Sequence, residues 1–416
     1  MNRNLVLSIA ASAIIVLLAS TAVAQLPQSV AGHRHKAKHF PPSPRPVPGG
    51  GQQFGDPLFG LTAAQLAVFE AGREEFESVE TAEGGLGPIF NNNACAACHS
   101  MAASGGASAI TETRFGRRLA NGQFDALTAL GGTLLHEKAI HPAVQERIPQ
   151  EANVIAKRLT TPLFGAGLQE AIPDSEILLN AARRKPDGIT GRAAMVVDVV
   201  SGERRVGHFG WKAQHASVLG FAADAYVNEM GITSRFFPKD IAPNGDEALL
   251  ARFDKLADPE DVVDPATGKG DIDASADFIR FLAPPPPLRQ SVSAAAGERL
   301  FQQLNCAACH TPVMFTGANP IAALAHKRVA LYSDLLLHDM GRLGDGIVQG
   351  TATQREMKTA PLWGLRARGP FLHDGSAATV AEAIRAHDGE GAAARRRYER
   401  LSDTEQKQLL DFLNTI

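Results

Sequence analysis

The sequence predicts a mainly α-helical protein built from two domains, the first enlarged by insertions and carrying a small β hairpin. Three observations predict it. The chain has 416 residues, more than one hydrophobic core usually serves, and its 44% hydrophobic content is enough for two. The pentapeptide Cys-Ala-Ala-Cys-His occurs twice, at residues 95–99 and 306–310, and each copy follows a similar hexapeptide of helical character, at 71–76 and 296–301. Between the copies, Pro284, Pro285, Pro286 and Pro287 cannot continue a helix and are expected to form an extended spacer.

In chain order, Asn2-Arg3-Asn4 precedes an apolar run over residues 5–19 and the small residues Ala22-Val23-Ala24. A charged start, an apolar middle and a small-residue cleavage site make residues 1–24 a secretory signal, and the run is shorter than the ~20 apolar residues a membrane span needs. Residues 25–58 read as a disordered tether, because His33, His35, Lys36 and His39 run into a stretch of prolines and glycines. A first domain is expected over 59–283, a linker over 284–292 and a second domain over 293–416.

Within the first domain, Thr62 can cap a helix whose stripe is Leu66, Phe69, Arg73 and Phe76. Residues 177–184 and 213–228 also look helical. The apolar run 193–200, ended by Ser201-Gly202, predicts a strand that returns over 203–209. In the second domain, Ser402 and Glu405 open a capped amphipathic helix carrying Leu409, Leu410, Phe412 and Leu413.

All four cysteines lie in the two pentapeptides, so an exported chain has none left for disulfides. Two thiols three positions apart lie within one turn and can bond to one porphyrin, and the adjacent histidine then sits beneath the iron. Cys95, Cys98 and His99, and Cys306, Cys309 and His310, are therefore expected to hold two covalent c-type haems in cytochrome c-like domains. A dithiol redox pair and a Cys/His zinc site are the alternatives. A formal net charge of −3 gives no reason to expect nucleic-acid binding.

Each iron has a sixth position, and a protein group there separates an electron carrier from a site that activates a small molecule. Candidates after the first motif are His136, His141, His208, His215, Met101, Met195 and Met230. After the second they are His326, His338, His373, His387, Met314, Met340 and Met357.

Several segments resemble the bacterial di-haem oxidoreductases of the peroxidase and thiol oxidoreductase type, distant relatives of the di-haem cytochrome c peroxidases and MauG. They are residues 85–91 (Gly-Leu-Gly-Pro-Ile-Phe-Asn), 168–173 (Leu-Gln-Glu-Ala-Ile-Pro), 209–213 (Phe-Gly-Trp-Lys-Ala), 230–234 (Met-Gly-Ile-Thr-Ser), 335–341 (Leu-Leu-Leu-His-Asp-Met-Gly), 361–365 (Pro-Leu-Trp-Gly-Leu) and 371–375 (Phe-Leu-His-Asp-Gly). The resemblance implies a periplasmic oxidoreductase in which a small redox protein donates electrons through the second haem. A small oxidant, with hydrogen peroxide favoured, would then be reduced at the first; an electron-transfer protein without its own substrate is the alternative.

In the peroxidase relatives, a methionine fourteen residues beyond the histidine of the 371–375 segment ligates the C-terminal iron. Here that position is His387, which implies a bis-histidine second haem. The resemblance also makes Glu170 a candidate acid–base, Trp211 a candidate electron relay between the haems, and calcium a candidate further cofactor.

Overall fold

Thr62 accepts the backbone N–H of Gln65, whose side chain in turn accepts the N–H of Thr62, and this reciprocal cap opens the helix Ala63–Phe76. The computed structural model of the chain describes residues 51–416; the expected secretory signal and most of the expected tether lie outside the described residues. The helix buries Phe69, Gly72, Arg73 and Phe76 against the helix Asp271–Phe281, while Leu66 stays exposed. A Cβ on Gly72 would collide with the carbonyl of Ala274, so glycine sets how closely the helices cross.

The second half repeats this device. Helix Val292–Gln303 crosses the C-terminal helix Asp403–Leu413 at Gly297, where a Cβ would collide with the carbonyl of Gln408. Gly72 and Gly297 occupy the same place in the two hexapeptides, so the sequence repeat encodes a repeated helix crossing ahead of each Cys-Ala-Ala-Cys-His segment. Phe69, Phe76, Phe278 and Leu282 form the core at the first crossing. Phe301, Tyr398, Leu409 and Phe412 form it at the second.

The described residues are 35% helical and 14% strand. The expected hairpin is present as Met195–Val197 paired antiparallel with Arg204–Val206. A larger sheet accompanies it. Strand Thr111–Arg118 pairs with Val154–Leu159 over six residues, and also with Leu134–Leu135 and Phe124–Asp125. Its sequence, Thr-Glu-Thr-Arg-Phe-Gly-Arg-Arg, is charged rather than apolar, which hid it from a hydrophobic pattern.

Two boundaries move. Residues 54–58, inside the stretch expected to be disordered, are packed into the fold, because Phe54 and Leu58 supply apolar anchors: Leu58 N–H donates to Phe281 O at 2.7 Å, and Arg73 donates to Gly55 O at 3.0 Å. The helix expected over 213–228 starts late, since Ala213 has φ +51° and Ser217 caps Val218–Ala225 before a wider turn over Tyr226–Met230.

The proline run is not a free spacer. Pro285 is buried, a Cβ on Gly364 would meet its ring, and Arg366 donates to Pro286 O. Residues on both sides of it are joined by buried ion pairs, with Asp345 holding Arg158 at 2.7 Å and Lys212 at 2.8 Å. Among the described residues, no helix is long and apolar enough to cross a membrane.

Candidate haem sites

Each Cys-Ala-Ala-Cys-His segment forms one short helical turn on the wall of its own cavity. Counting the space open to solvent, the cavities measure 1330 Å³ at the first segment and 1610 Å³ at the second.

At the second segment, the turn Cys306–Ala308 is entered through Asn305 in the left-handed conformation. His310 donates Nδ1–H to the carbonyl of Tyr332 at 3.0 Å, which fixes the tautomer and leaves Nε2 as an acceptor. Burial, then the neighbouring His387, pushes the His310 imidazole down to about 4, so the ring is neutral. His387 follows the helix Val380–Ala386 and donates Nδ1–H to Ala383 O at 2.8 Å; burial lowers it too. The two rings face each other with centroids 6.4 Å apart at 57°. Metal–imidazole bonds of about 2 Å allow a single metal ion between rings so spaced.

His338, His373, Met340 and Met357 also line this cavity, whereas His326 and Met314 do not. Both nitrogens of His338 are committed, Nε2 to Asp334 at 3.0 Å and Nδ1 to Glu390 at 2.6 Å. His373 packs edge-on against Trp211.

At the first segment, the helix Cys95–Cys98 presents His99, whose Nδ1–H donates to Gly106 O at 3.0 Å and which burial pushes down to about 4. Of the seven candidate sixth ligands, Met230 alone lines this cavity. His136 is tied to Glu146 at 2.7 Å, His208 to Gln169 O at 2.8 Å and His215 to Asp224 at 3.2 Å, while His141 accepts from Ala143 N.

The wall of the first cavity carries Glu112, Arg114 and Glu229, a group the sequence reading missed. Arg114 clasps Glu112 through Nε at 2.8 Å and Nη2 at 3.0 Å. Burial opposes ionisation of Glu112, but Arg114 and then Arg158 hold it below the usual carboxylate range. Glu229, which accepts from Asn91 at 2.9 Å, is pushed up to about 8, first by burial and then by the charge of Glu112. One ionised and one protonated carboxyl therefore share the cavity.

Glu170, expected as the acid–base, lines neither cavity. Its Oε1 accepts from Val218 N at 2.7 Å at the start of a helix, and its Oε2 accepts from Arg280 at 2.9 Å. Both oxygens are engaged, one at the start of a helix and one in an ion pair. Trp211 lines both cavities and donates Nε1–H to the carbonyl of Leu159, itself on both walls, at 2.8 Å.

The donor sets fit haem better than a bare metal. Burial pushes the Cys95 and Cys98 thiols up and the Cys306 thiol up to about 12, and each segment brings two thiols and one imidazole, one donor short of the four a structural zinc takes. The group of Cys309, Asp334 and His338 offers no free imidazole nitrogen. Away from the cavities, the carboxylates of Asp240, Asp254 and Asp258 lie within 4.8 Å of one another.

The family described as "di-haem oxidoreductase, putative peroxidase" matches residues 135–416. No curated protein matches the chain. Among solved structures, hydrazine synthase from Kuenenia stuttgartiensis aligns at 13% identity and a TM-score of 0.39, covering 91% of this chain and all of that one. A MauG-like protein associated with microbial copper homeostasis aligns at 15% identity and a TM-score of 0.31, covering 61% of this chain and 88% of that one. The family match spans more than half of the sequence and includes the second Cys-Ala-Ala-Cys-His segment, so the chain belongs to the di-haem oxidoreductase family.

Proposed function

We propose that the protein is an exported, periplasmic peroxidase-like enzyme of cytochrome c type. Covalent haems sit at Cys95, Cys98 and His99 and at Cys306, Cys309 and His310. A small redox protein delivers electrons to the second haem, and a small oxidant, hydrogen peroxide in the first instance, is reduced at the first. The observation that carries this reading is the asymmetry of the cavities: an imidazole faces His310 at 6.4 Å, whereas His99 is the one histidine on the wall of its cavity among the described residues.

The haems supply the one-electron redox centres. His99 and His310 would hold them through neutral imidazole nitrogens, and His387 would offer a second imidazole at the second site. In the first cavity, ionised Glu112 would take a proton from the oxidant and protonated Glu229 would return one to the leaving oxygen; with two electrons from the donor protein and two protons from solvent, hydrogen peroxide becomes two waters. Arg114 keeps Glu112 ionised and oriented. Trp211, with the Leu159 carbonyl it holds, bridges the two cavities as the electron path. Calcium has a place in this reading only as a further structural cation.

A second reading has an observation of its own. Met230 is buried on the wall of the first cavity, and a thioether on that iron would make the protein an electron carrier without a substrate. Optical and electron paramagnetic resonance spectra of the half-reduced protein separate the two. The enzyme shows one high-spin and one low-spin haem and oxidises a reduced cytochrome when peroxide is added. Two low-spin haems that ignore peroxide and cyanide in every redox state would establish the carrier.

A further inference from the structure

The second cavity contains more positive charge than its own carboxylates balance. Arg368 is half-buried on its wall; one Nη donates to the Pro361 carbonyl at 2.9 Å, while its Nε is enclosed without a hydrogen-bond partner. Lys358 is 9% exposed on the same wall, placed there by its backbone N–H, which donates to the carbonyl of Trp211 at 2.9 Å. Neither cation makes an ion pair among the described residues, and the two are close enough for Arg368 to destabilise the charge on Lys358. The carboxylate that acts on Lys358 is Asp334, which already holds Lys185 at 2.6 Å and His338 at 3.0 Å. Glu390, also on the wall, is committed to His338 and Thr190.

A buried lysine beside a half-buried arginine with an enclosed, unpartnered Nε is costly when neither has a counter-ion, and such an arrangement is ordinarily resolved by an anionic ligand. A haem fixed by thioethers at one edge carries two propionate carboxylates at the other. We propose that Arg368 and Lys358 form the carboxylate-binding end of the second haem site and neutralise the propionates of a haem anchored at Cys306, Cys309 and His310. This assignment rests on that haem occupying this cavity. It makes the two cations determinants of redox potential, because a buried positive charge favours the reduced, less positive haem.

The test is a spectroelectrochemical titration of the full-length holoprotein and its Arg368→Met, Lys358→Met and Arg368→Lys variants at several pH values. Both methionine variants are expected to lower the midpoint of the low-spin haem and give it a pH dependence, as a propionate left without its cation takes up a proton. Arg368→Lys, which keeps the charge, is expected to stay near the parent. Should Arg368→Met not accumulate with haem, Lys358→Met and Arg368→Lys carry the comparison. Midpoints and pH profiles unchanged in Lys358→Met and in whichever Arg368 variant loads would overturn the proposal. A Cys306→Ser, Cys309→Ser variant that still retains two haems would instead remove the premise that this cavity is a haem site, which keeps the two failures apart.

Discussion

The imidazoles of His310 and His387 face each other at 6.4 Å between centroids, and each donates Nδ1–H to a backbone carbonyl, of Tyr332 and of Ala383. Those bonds leave both Nε2 atoms available as acceptors. Exchanging one nitrogen for a thioether sulfur should raise the potential of an iron held there. His387→Met is therefore expected to stay low-spin with a higher midpoint, and His387→Ala to become high-spin and bind cyanide at the second haem. Potentiometry with magnetic circular dichroism checks both; unchanged spectra in His387→Ala would show that another group ligates the iron.

Glu112 and Glu170 invite opposite predictions. Glu112 lies on the first cavity and Glu170 is spent on Val218 N–H and Arg280. Glu112→Gln should lower peroxide turnover by about 10²–10⁴-fold, the range for loss of a general acid–base group, with the haem spectra retained. Glu170→Gln should leave the rate near normal and lower thermal stability by roughly 1–3 kcal/mol, because a charged partner of Arg280 is lost. Steady-state kinetics and thermal melts on both variants decide; a slow Glu170→Gln beside a fast Glu112→Gln would reverse the assignment.

Asp345 compensates two cations at once. Its side chain and that of Lys212 are 0% exposed and that of Arg158 is 2% exposed, so water cannot replace the lost charge. Asp345→Asn is expected to cost about 3–5 kcal/mol, the usual consequence of stranding a buried charge. Chemical denaturation of the holoprotein measures it. A loss below about 1 kcal/mol would mean that the pocket admits water or that an anion takes the vacant place.

How much of this was legible in the sequence depends on the kind of signal. Thr62 and Ser402 announce their helices because a capping box is a local pattern with one local solution. The Cys-Ala-Ala-Cys-His segments and the hexapeptide repeat were legible for the same reason. The face of His387 toward His310 was reached only through family resemblance. Glu112, Arg114 and Glu229 were not reached, since they meet only when the strand Thr111–Arg118 and the turn Tyr226–Met230 fold onto one cavity. Two charged residues at alternate positions of a strand look like a solvated edge until something is seen to cover them. Glu170 was reached only through its family segment, and its two oxygens meet a backbone N–H and an arginine rather than a cavity wall.

Asp240 provides a pH dependence that is independent of the haem sites. Its Oδ2 is buried without a hydrogen-bond partner, and its carboxyl is pushed up to about 8, first by burial and then by Glu260, with Asp258 and Asp254 adding to the effect. Between the ordinary value of 3.8 and about 8, the native state keeps a proton that the unfolded chain has released. Stability must therefore fall as pH rises through that window. Below it both states are protonated, and above it both are ionised with the native state bearing the full cost. Asp240→Asn removes this term, so variant and parent should be equally stable near pH 4 and the variant should pull ahead toward pH 8. Denaturation midpoints measured across that range, with a chelator present to keep divalent cations off the carboxylates, give the comparison. Parallel pH profiles would show that Asp240 ionises freely in the native state.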